Sequence, residues 1–359
     1  MSDATHTDLR AFSIRSGATA REALRTIRHN GLGIVVVVDD DYVKGTVTDG
    51  NIRRATLNGT SLDVAVEEVM SPRPLTLPVD APADATSRLL NAYRLRAAPV
   101  VDQGRLVGIR AQKAHGDSPI AVVMAGGRGQ RLRPFTDKVP KPLLRVGSTP
   151  IVERIISSLA AAGVDEVLLA VNYKAELLEG RLGTGERLGV RLRYLREEQP
   201  MGTAGSLSVL SERESGPVLV TNGDIVTTVD FTALLDFHWH QGAAVTVAAV
   251  PYVSHIPYGV LHTVEHHLVS MEEKPERRDL CSAGIYVLSP DVLRLVPRGV
   301  PWDMPDLIID ALREGLSVQV FPILEKWVDI GGTDEFERVL VEFALGDDGY
   351  DDMSGRSSG

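Results

Sequence analysis

An α/β fold in two unlike parts is predicted by three observations. The first third of the 359-residue chain repeats a β-α-β-β pattern. From residue 120 onward, short apolar runs alternate with stretches of helical spacing. The first of those runs, Ile120–Met124, opens into a loop with glycines at 126, 127 and 129 and cations at 128, 131, 138 and 141. Similarity at a fixed spacing marks a duplicated unit. Strands alternating with helices mark a mainly parallel sheet wrapped by helices. In such sheets, ligands bind outside the carboxyl ends of the strands, where this loop would lie.

Size and composition set the frame. A chain of this length suggests two or three domains. With 43% hydrophobic and 24% charged residues it can bury proper cores. A formal net charge of -10 argues against nucleic acid and anionic membranes as partners, yet leaves room for a local basic pocket. The single cysteine, Cys281, excludes an intrachain disulfide and a cysteine-built zinc site. No signal peptide opens the chain and no apolar run is long enough to span a bilayer, so a cytoplasmic protein is expected.

Taken in order, residues 18–30 have helical spacing with Ala23, Leu24 and Ile27 on one face, and Gly31 and Gly33 end the helix. Residues 34–38 form a β-branched strand, 43–47 a second one, and a helix follows from Ile52. The cycle returns with a helix over 83–93 and strands over 98–101 and 106–109. Residues 111–118 are short, polar and Gly-containing, as a linker would be. Beyond it, helices are predicted over 151–162, 173–182, 204–212 and 231–240, with strands over 166–171, 190–195, 218–221 and 244–250. Strands over 259–264, 268–272 and 283–288, helices from Asp291 and Pro305, strands over 318–321 and 327–329 and a helix from Thr333 complete the fold. Residues 346–359 are acidic and Gly/Ser-rich, the composition of a disordered tail. Cys281 precedes a strand and is expected to be packed.

The loop after Ile120–Met124 can converge backbone N–H groups and cations on a polyanion; the alternative is a surface loop with a basic face. It lacks the Gly-Lys-Ser/Thr ending of a P-loop, and Leu132 stands where the dinucleotide fingerprint needs its third glycine. Asp224, in Thr221-Asn222-Gly223-Asp224, and Asp329 both end apolar strands. Two carboxylates on strand ends beside a phosphate cradle suit Mg2+, which takes hard oxygen ligands and keeps several waters; alone, each could be a turn residue. The segment from Glu197 and Glu198 to Gly202, Thr203 and Ala204 could seat a base against small residues, or be an ordinary helix start favoured by its dipole. Glu273 and Lys274 could meet sugar hydroxyls and a phosphate, or form a solvated loop.

The repeat in the first third, with Val69–Thr86 linking its halves and a hairpin over 97–109, resembles the paired CBS (cystathionine-β-synthase-type) modules. That resemblance implies a regulatory or dimerising unit over residues 1–115, a homo-oligomer, and an adenosine nucleotide held by Thr48 and Asn51 of Thr48-Asp49-Gly50-Asn51. The second repeat has no such element, so at most one site is implied, and a module that binds nothing stays open.

The remainder, 119–345, resembles the sugar-1-phosphate nucleotidyltransferases (nucleoside-diphosphate-sugar pyrophosphorylases), close in pattern to mannose-1-phosphate guanylyltransferases. Seven motifs carry the likeness in order: GGRGQRLRPFTDKVPKPLL, GTAGSL, NGD, PYGV, EEKP, SAGIYVL and WVDIGGTDEFERV. It implies a Rossmann-like, mixed-sheet, GT-A-like α/β domain. By motif position it assigns Arg131 and Lys141 to catalysis and Ala125, Gly126, Gly127, Arg128 and Gly129 to the triphosphate. Asp224 and Asp329 take Mg2+. Glu197 or Glu198, with Gly202 and Thr203, contact the base; Tyr258, Gly259, Glu273 and Lys274, with Asn172 and Ser282, serve the sugar phosphate. Gln130 departs from the pattern, where threonine is usual. The implied reaction joins an NTP and a sugar or sugar-like 1-phosphate, with GTP favoured over UTP or dTTP. The rival reading is a catalytically dead nucleotide sensor, against which the complete set Arg131, Lys141, Asp224 and Asp329 speaks.

Overall fold

The computed structural model describes residues 4–112, 118–210 and 215–344. Most of the expected linker and the whole acidic tail lie outside the described residues, as does the end of the helix expected over 204–212.

The N-terminal module is built twice on one plan. Its strands are β1 (Ala4–His6), β2 (Ser13–Arg15), β3 (Ile34–Asp39), β4 (Tyr42–Thr48), β5 (Leu77–Pro78), β6 (Ala97–Asp102) and β7 (Arg105–Ala111). Its helices are α1 (Ala20–Asn30), α2 (Asp49–Leu57) and α3 (Ala83–Ala92). They form one sheet in the order β2-β3-β4-β7-β6-β5, with β1 on β7. Both hairpins carry a register shift at the same place, between Val37 and Val38 in one and Val100 and Val101 in the other. Helix α1 starts on a reciprocal cap between Thr19 and Glu22 and stops at Gly31, as a Thr-x-x-Glu start and a glycine end dictate. Its Ala20, Ala23, Leu24 and Ile27 pack on Val35, Val37 and Val47; the opposite face of β3 packs Ile34 and Val36 with Phe12 and Ile109.

The larger domain holds β8 (Ile120–Met124), β9 (Arg145–Val146), β10 (Thr149–Pro150), β11 (Glu166–Val171), β12 (Arg191–Arg196), β13 (Val218–Asn222), β14 (Ile225–Thr227) and β15 (Val245–His255). It continues with β16 (Val260–Val264), β17 (His267–Glu272), β18 (Glu276–Leu288), β19 (Val318–Pro322) and β20 (Trp327–Asp329). Its helices are α4 (Ile151–Ala161), α5 (Ala175–Leu182), α6 (Phe231–Gln241), α7 (Pro290–Leu293), α8 (Met304–Arg313) and α9 (Thr333–Ala344). The main sheet runs β12-β11-β8-β13-β18-β15-β19, and only β18 is antiparallel to its neighbours. Ala121 and Val123 of β8 enter one core and Val122 the other, so the strand is apolar throughout because both faces are covered. The mixed α/β fold of the sequence reading, a duplicated module followed by a mixed-sheet domain, is the observed one.

Four expectations change. The helix expected over 204–212 is a 3-10 turn, Gly205–Val209: the amides of Ala204 and Gly205 both donate to the Trp302 carbonyl, which pulls the chain out of helical spacing. The helix expected from residue 173 begins at Ala175, since Lys174 is left-handed (φ 54°). Strands β15 and β18 run far past their apolar parts and pair as a projecting arm. Cys281 lies within that arm and is exposed, not packed.

Candidate active site

Strand order reverses at β8, which has β11 on one side and β13 on the other. The crevice at such a switch point opens at the strands' carboxyl ends. There the Ala125 amide donates to the Ala170 carbonyl at 2.8 Å, and the Gly223 amide donates to the Met124 carbonyl at 2.9 Å. The glycine loop and the Asn-Gly-Asp turn are thus stitched to one edge.

The loop folds back on its own lysine. Gly129 is left-handed (φ 59°), and a Cβ there would come within 3.1 Å of Lys141 Cβ and 3.0 Å of Thr136 Cγ2; only glycine permits that approach without strain. Thr136 Oγ1 donates to the Gly129 carbonyl at 2.7 Å. Lys141, nearly buried, points its ammonium at Asp224, with Nζ 2.5 Å from Oδ2. Arg128, Arg131 and Lys138 are exposed, and the charge of Arg131 reaches Asp329.

Asp224, in the turn between β13 and β14, and Asp329, the last residue of β20, are joined by backbone. Strand β14 pairs with β20, with Ile225 opposite Asp329, and the Ile330 amide donates to the Asp224 carbonyl at 3.2 Å. Partial burial of its carboxyl raises the Asp329 pKa and the charge of Asp224 raises it further, against the opposing pull of Lys141 and Arg131. Asp224 Oδ1 is buried with no hydrogen-bond donor. A buried acceptor without a partner is costly, and two carboxylates with one free oxygen fit a hard divalent cation that takes its remaining ligands from water and phosphate. Among the described residues no group of three or more His, Cys, Asp or Glu side chains could hold a metal on its own.

The base-side residues separate. Glu197 turns to the glycine loop, its Oε2 3.3 Å from the position a Cβ on Gly126 would take, while Glu198 is exposed. Burial raises the Glu197 pKa, with bonds from Met201 and Ser206 opposing. Asn172 donates from Nδ2 to the Glu197 carbonyl at 2.8 Å, which places it as a brace of that strand end. Gly202 (φ 74°) lies against Trp302: a Cβ would sit 2.5 Å from the Trp302 carbonyl oxygen. Thr203 binds Asp303 through its amide and hydroxyl, and its Oγ1 accepts from the Met304 amide. Both residues are therefore engaged in holding the start of α8.

The sugar-side residues lie on the arm. Tyr258, Gly259, Glu273 and Lys274 flank the exposed β16–β17 hairpin, with Glu273 Oε2 3.1 Å from a Cβ position on Gly259. Ser282, at the arm's base, exchanges a hydrogen bond with the Tyr286 hydroxyl at 2.8 Å. The structure brings Arg131, Lys141, Asp224 and Asp329 to one mouth, and sets the hairpin residues apart as a second group.

Thr48 and Asn51 cap α2 reciprocally, each bonding the other's amide. Both also line a cavity of about 1390 Å3 between the module and α6, together with Arg54, Arg73, Arg96 and Asp236. Arg96 bonds Asp236 across it at 2.5 Å. Burial pushes the Asp236 pKa up to about 6, although Arg96 opposes the rise. Neither this contact nor Arg53, which reaches the larger domain from α2, was foreseen, because pairs so distant in sequence leave no local signal.

Residues 120–344 match the nucleotidyl transferase family model, and residues 6–58 and 66–109 match the CBS domain model. The chain is 32% identical over 232 residues to mannose-1-phosphate guanylyltransferase of Mycobacterium tuberculosis, covering 63% of this chain and 65% of that one. It is 34% identical over 224 residues to mannose-1-phosphate guanyltransferase of Candida albicans, covering 60% and 62%. The chain thus spans a little under two thirds of the length of these curated relatives. A Bacillus anthracis protein assigned as a glucose-1-phosphate thymidylyltransferase, solved with sucrose, superposes with a TM-score of 0.51 at 21% identity, over 62% of this chain and 94% of that one; this likeness is one of fold.

Proposed function

The chain belongs to the nucleotidyl transferase family, and from that premise we propose that it joins a nucleoside triphosphate, GTP by preference, to a sugar 1-phosphate, releasing pyrophosphate. The observation that carries the reading is the convergence of Lys141, Asp224, Asp329 and the exposed Arg131 at the switch-point mouth. The names of the curated relatives support the choice of GTP and of a hexose phosphate such as mannose 1-phosphate.

The chemistry asks little of proton transfer. A phosphate oxygen of the sugar 1-phosphate, already an anion at neutral pH, forms a bond to the α-phosphorus as the bond to the β-phosphate oxygen breaks. Pyrophosphate leaves with that electron pair. Bringing two polyanions together is the obstacle, so positioning and charge stabilisation dominate. The glycine loop offers amides to the triphosphate, Arg131 neutralises developing charge on the leaving group, and Lys141 sits where it can bridge the two phosphates. Asp224 and Asp329 would hold Mg2+, which when bound supplies charge neutralisation at the α-phosphate oxygens. Glu197 is the carboxylate placed to read the base, and Tyr258, Glu273 and Lys274 on the hairpin receive the sugar phosphate.

The CBS pair is assigned a regulatory role, with an adenosine nucleotide at Thr48 and Asn51. The basic lining of the adjoining cavity supports this: Arg54 and Arg73 face it without an ion-pair partner among the described residues. A cytoplasmic setting, where both substrates occur, and a homo-oligomer complete the reading. The test is a matrix of nucleoside triphosphates against sugar 1-phosphates, read by pyrophosphate release; no release from any pair would sink it.

A further inference from the structure

We propose that Arg53, in the N-terminal module, is a positioning residue for the metal-binding carboxylate Asp329 in the larger domain. The inference rests on the reading of Asp224 and Asp329 as a metal pair. Arg53 is fully buried. All five of its N–H donors meet acceptors: Asp49 takes Nε and Nη2, the Pro322 carbonyl takes Nη1 at 2.6 Å, and Glu325 takes Nη2 at 2.9 Å and Nη1 at 3.3 Å. Its guanidinium also lies 3.8 Å over the Phe321 ring. Arg28 adds a second bond to Glu325 at 2.7 Å, leaving the Glu325 side chain only 1% exposed.

The place of Glu325 gives this clamp its reach. It stands between β19 and β20, four residues before Asp329. From it the chain is fixed step by step. The Lys326 carbonyl accepts from the Thr228 amide at 3.0 Å and from Thr227 Oγ1 at 2.8 Å. Trp327 Nε1 donates to the Ala283 carbonyl at 3.0 Å. Strand β20 then pairs with β14, and Ile330 bonds the Asp224 carbonyl. The module therefore grips the short segment whose far end is the second carboxylate of the candidate metal pair. A buried guanidinium held in a planar fork fixes orientation as well as charge, which a lysine cannot reproduce.

The experiment uses the full chain as wild type, as a control variant, and in two test forms, Arg53→Lys and Glu325→Gln. The last two keep a polar group in place, so folding is preserved where Arg53→Ala would strand two buried carboxylates. Mn2+ binding is followed by the EPR signal of the free ion, and turnover is titrated with Mg2+. Loss of a group that orients a metal ligand costs about 10-fold to 100-fold in metal affinity, so both variants should bind Mn2+ at least about tenfold more weakly and need correspondingly more Mg2+, with KM for both substrates held within about twofold. His238→Gln, a buried polar change that touches neither Arg53 nor Glu325, serves as the control for destabilisation alone; it should lower the melting temperature and leave Mn2+ binding unchanged. Unchanged Mn2+ binding in Arg53→Lys and Glu325→Gln overturns the inference, as does an equal loss in His238→Gln. A wild type that binds no Mn2+ also overturns it. A wild type that binds Mn2+ and loses it in the two variants, yet releases no pyrophosphate from any substrate pair, upholds the positioning role while removing the proposed reaction.

Discussion

Lys141 Nζ lies 2.5 Å from Asp224 Oδ2, so the lysine packed against Gly129 and one member of the carboxylate pair form a single ion pair. The lysine is the more buried partner, at 11% side-chain exposure against 28% for the acid. Such a pair holds both groups at the strand ends before any substrate arrives. It also predicts that the two can be separated by experiment. Lys141→Met should lower turnover by about two orders of magnitude or more, as loss of a charge-stabilising group does, while Mn2+ binding is kept. Asp224→Asn should lose both. Turnover and Mn2+ titration on the two variants check this, and loss of Mn2+ binding in Lys141→Met would contradict it.

Gly202 and Gly127 should fail in opposite ways. Alanine at 202 needs a left-handed backbone and places Cβ 2.5 Å from the Trp302 carbonyl oxygen; the strain should cost at least about 2 kcal/mol, read as a lower denaturation midpoint. Alanine at 127 meets no atom within 4 Å, so stability should hold while KM for the nucleotide rises as the methyl group enters the triphosphate's path. A stable Gly202→Ala protein would show that the 202–302 contact yields easily.

Stability should fall as the medium becomes mildly acidic, and His238 should contribute. Burial lowers its pKa to about 4, with Thr246 Oγ1 at 2.9 Å and Ser289 Oγ at 3.2 Å as its partners. A histidine whose folded pKa is depressed contributes stability that is present above about pH 6.5 and is lost as pH falls toward 4, on the order of 3 kcal/mol at most. His240, lowered to about 4 mainly by burial, acts in the same sense. Asp236, raised to about 6, acts in the opposite one, since its folded form takes up a proton more readily. Denaturant midpoints between pH 7 and pH 4.5 should therefore decline less steeply in His238→Gln than in the wild type. Parallel slopes would mean that His238 does not titrate with folding.

Occupancy of the cavity beside Thr48 and Asn51 should be visible without turnover. AMP, ATP and GTP titrated into the full chain should raise its melting temperature for at least one of them, since a ligand bound only by the folded state stabilises it. Arg73→Ala, which removes a cavity-lining cation, should weaken that effect. Identical melts with and without nucleotide would leave Thr48 and Asn51 as helix caps only.

How much of this could be read from sequence follows from how local each feature is. Apolar runs and glycine stops revealed the elements: Gly31 ends α1 as the sequence predicts, and Glu166–Val171 and Trp327–Asp329 keep their expected bounds. The arm was less legible. Residues such as Arg277, Arg278 and Asp279 carry no core pattern, and they are strand because backbone pairing with β15 continues beyond the core. Gly202 and Thr203 matched a base-contact motif, but their contacts go to Trp302, Asp303 and Met304, which only the fold brings near. The Arg53–Glu325 clamp joins residues from the two halves of the chain and has no sequence signature at all.

The central claim is tested most directly by pyrophosphate release from the wild type and from Asp224→Asn, across several nucleoside triphosphates and sugar 1-phosphates with Mg2+. Release from GTP with a hexose 1-phosphate, matched by formation of the nucleoside-diphosphate sugar and lowered about a hundredfold or more in Asp224→Asn, is the predicted result. Release that persists at wild-type rates in Asp224→Asn, or absence of release from every pair, would contradict it.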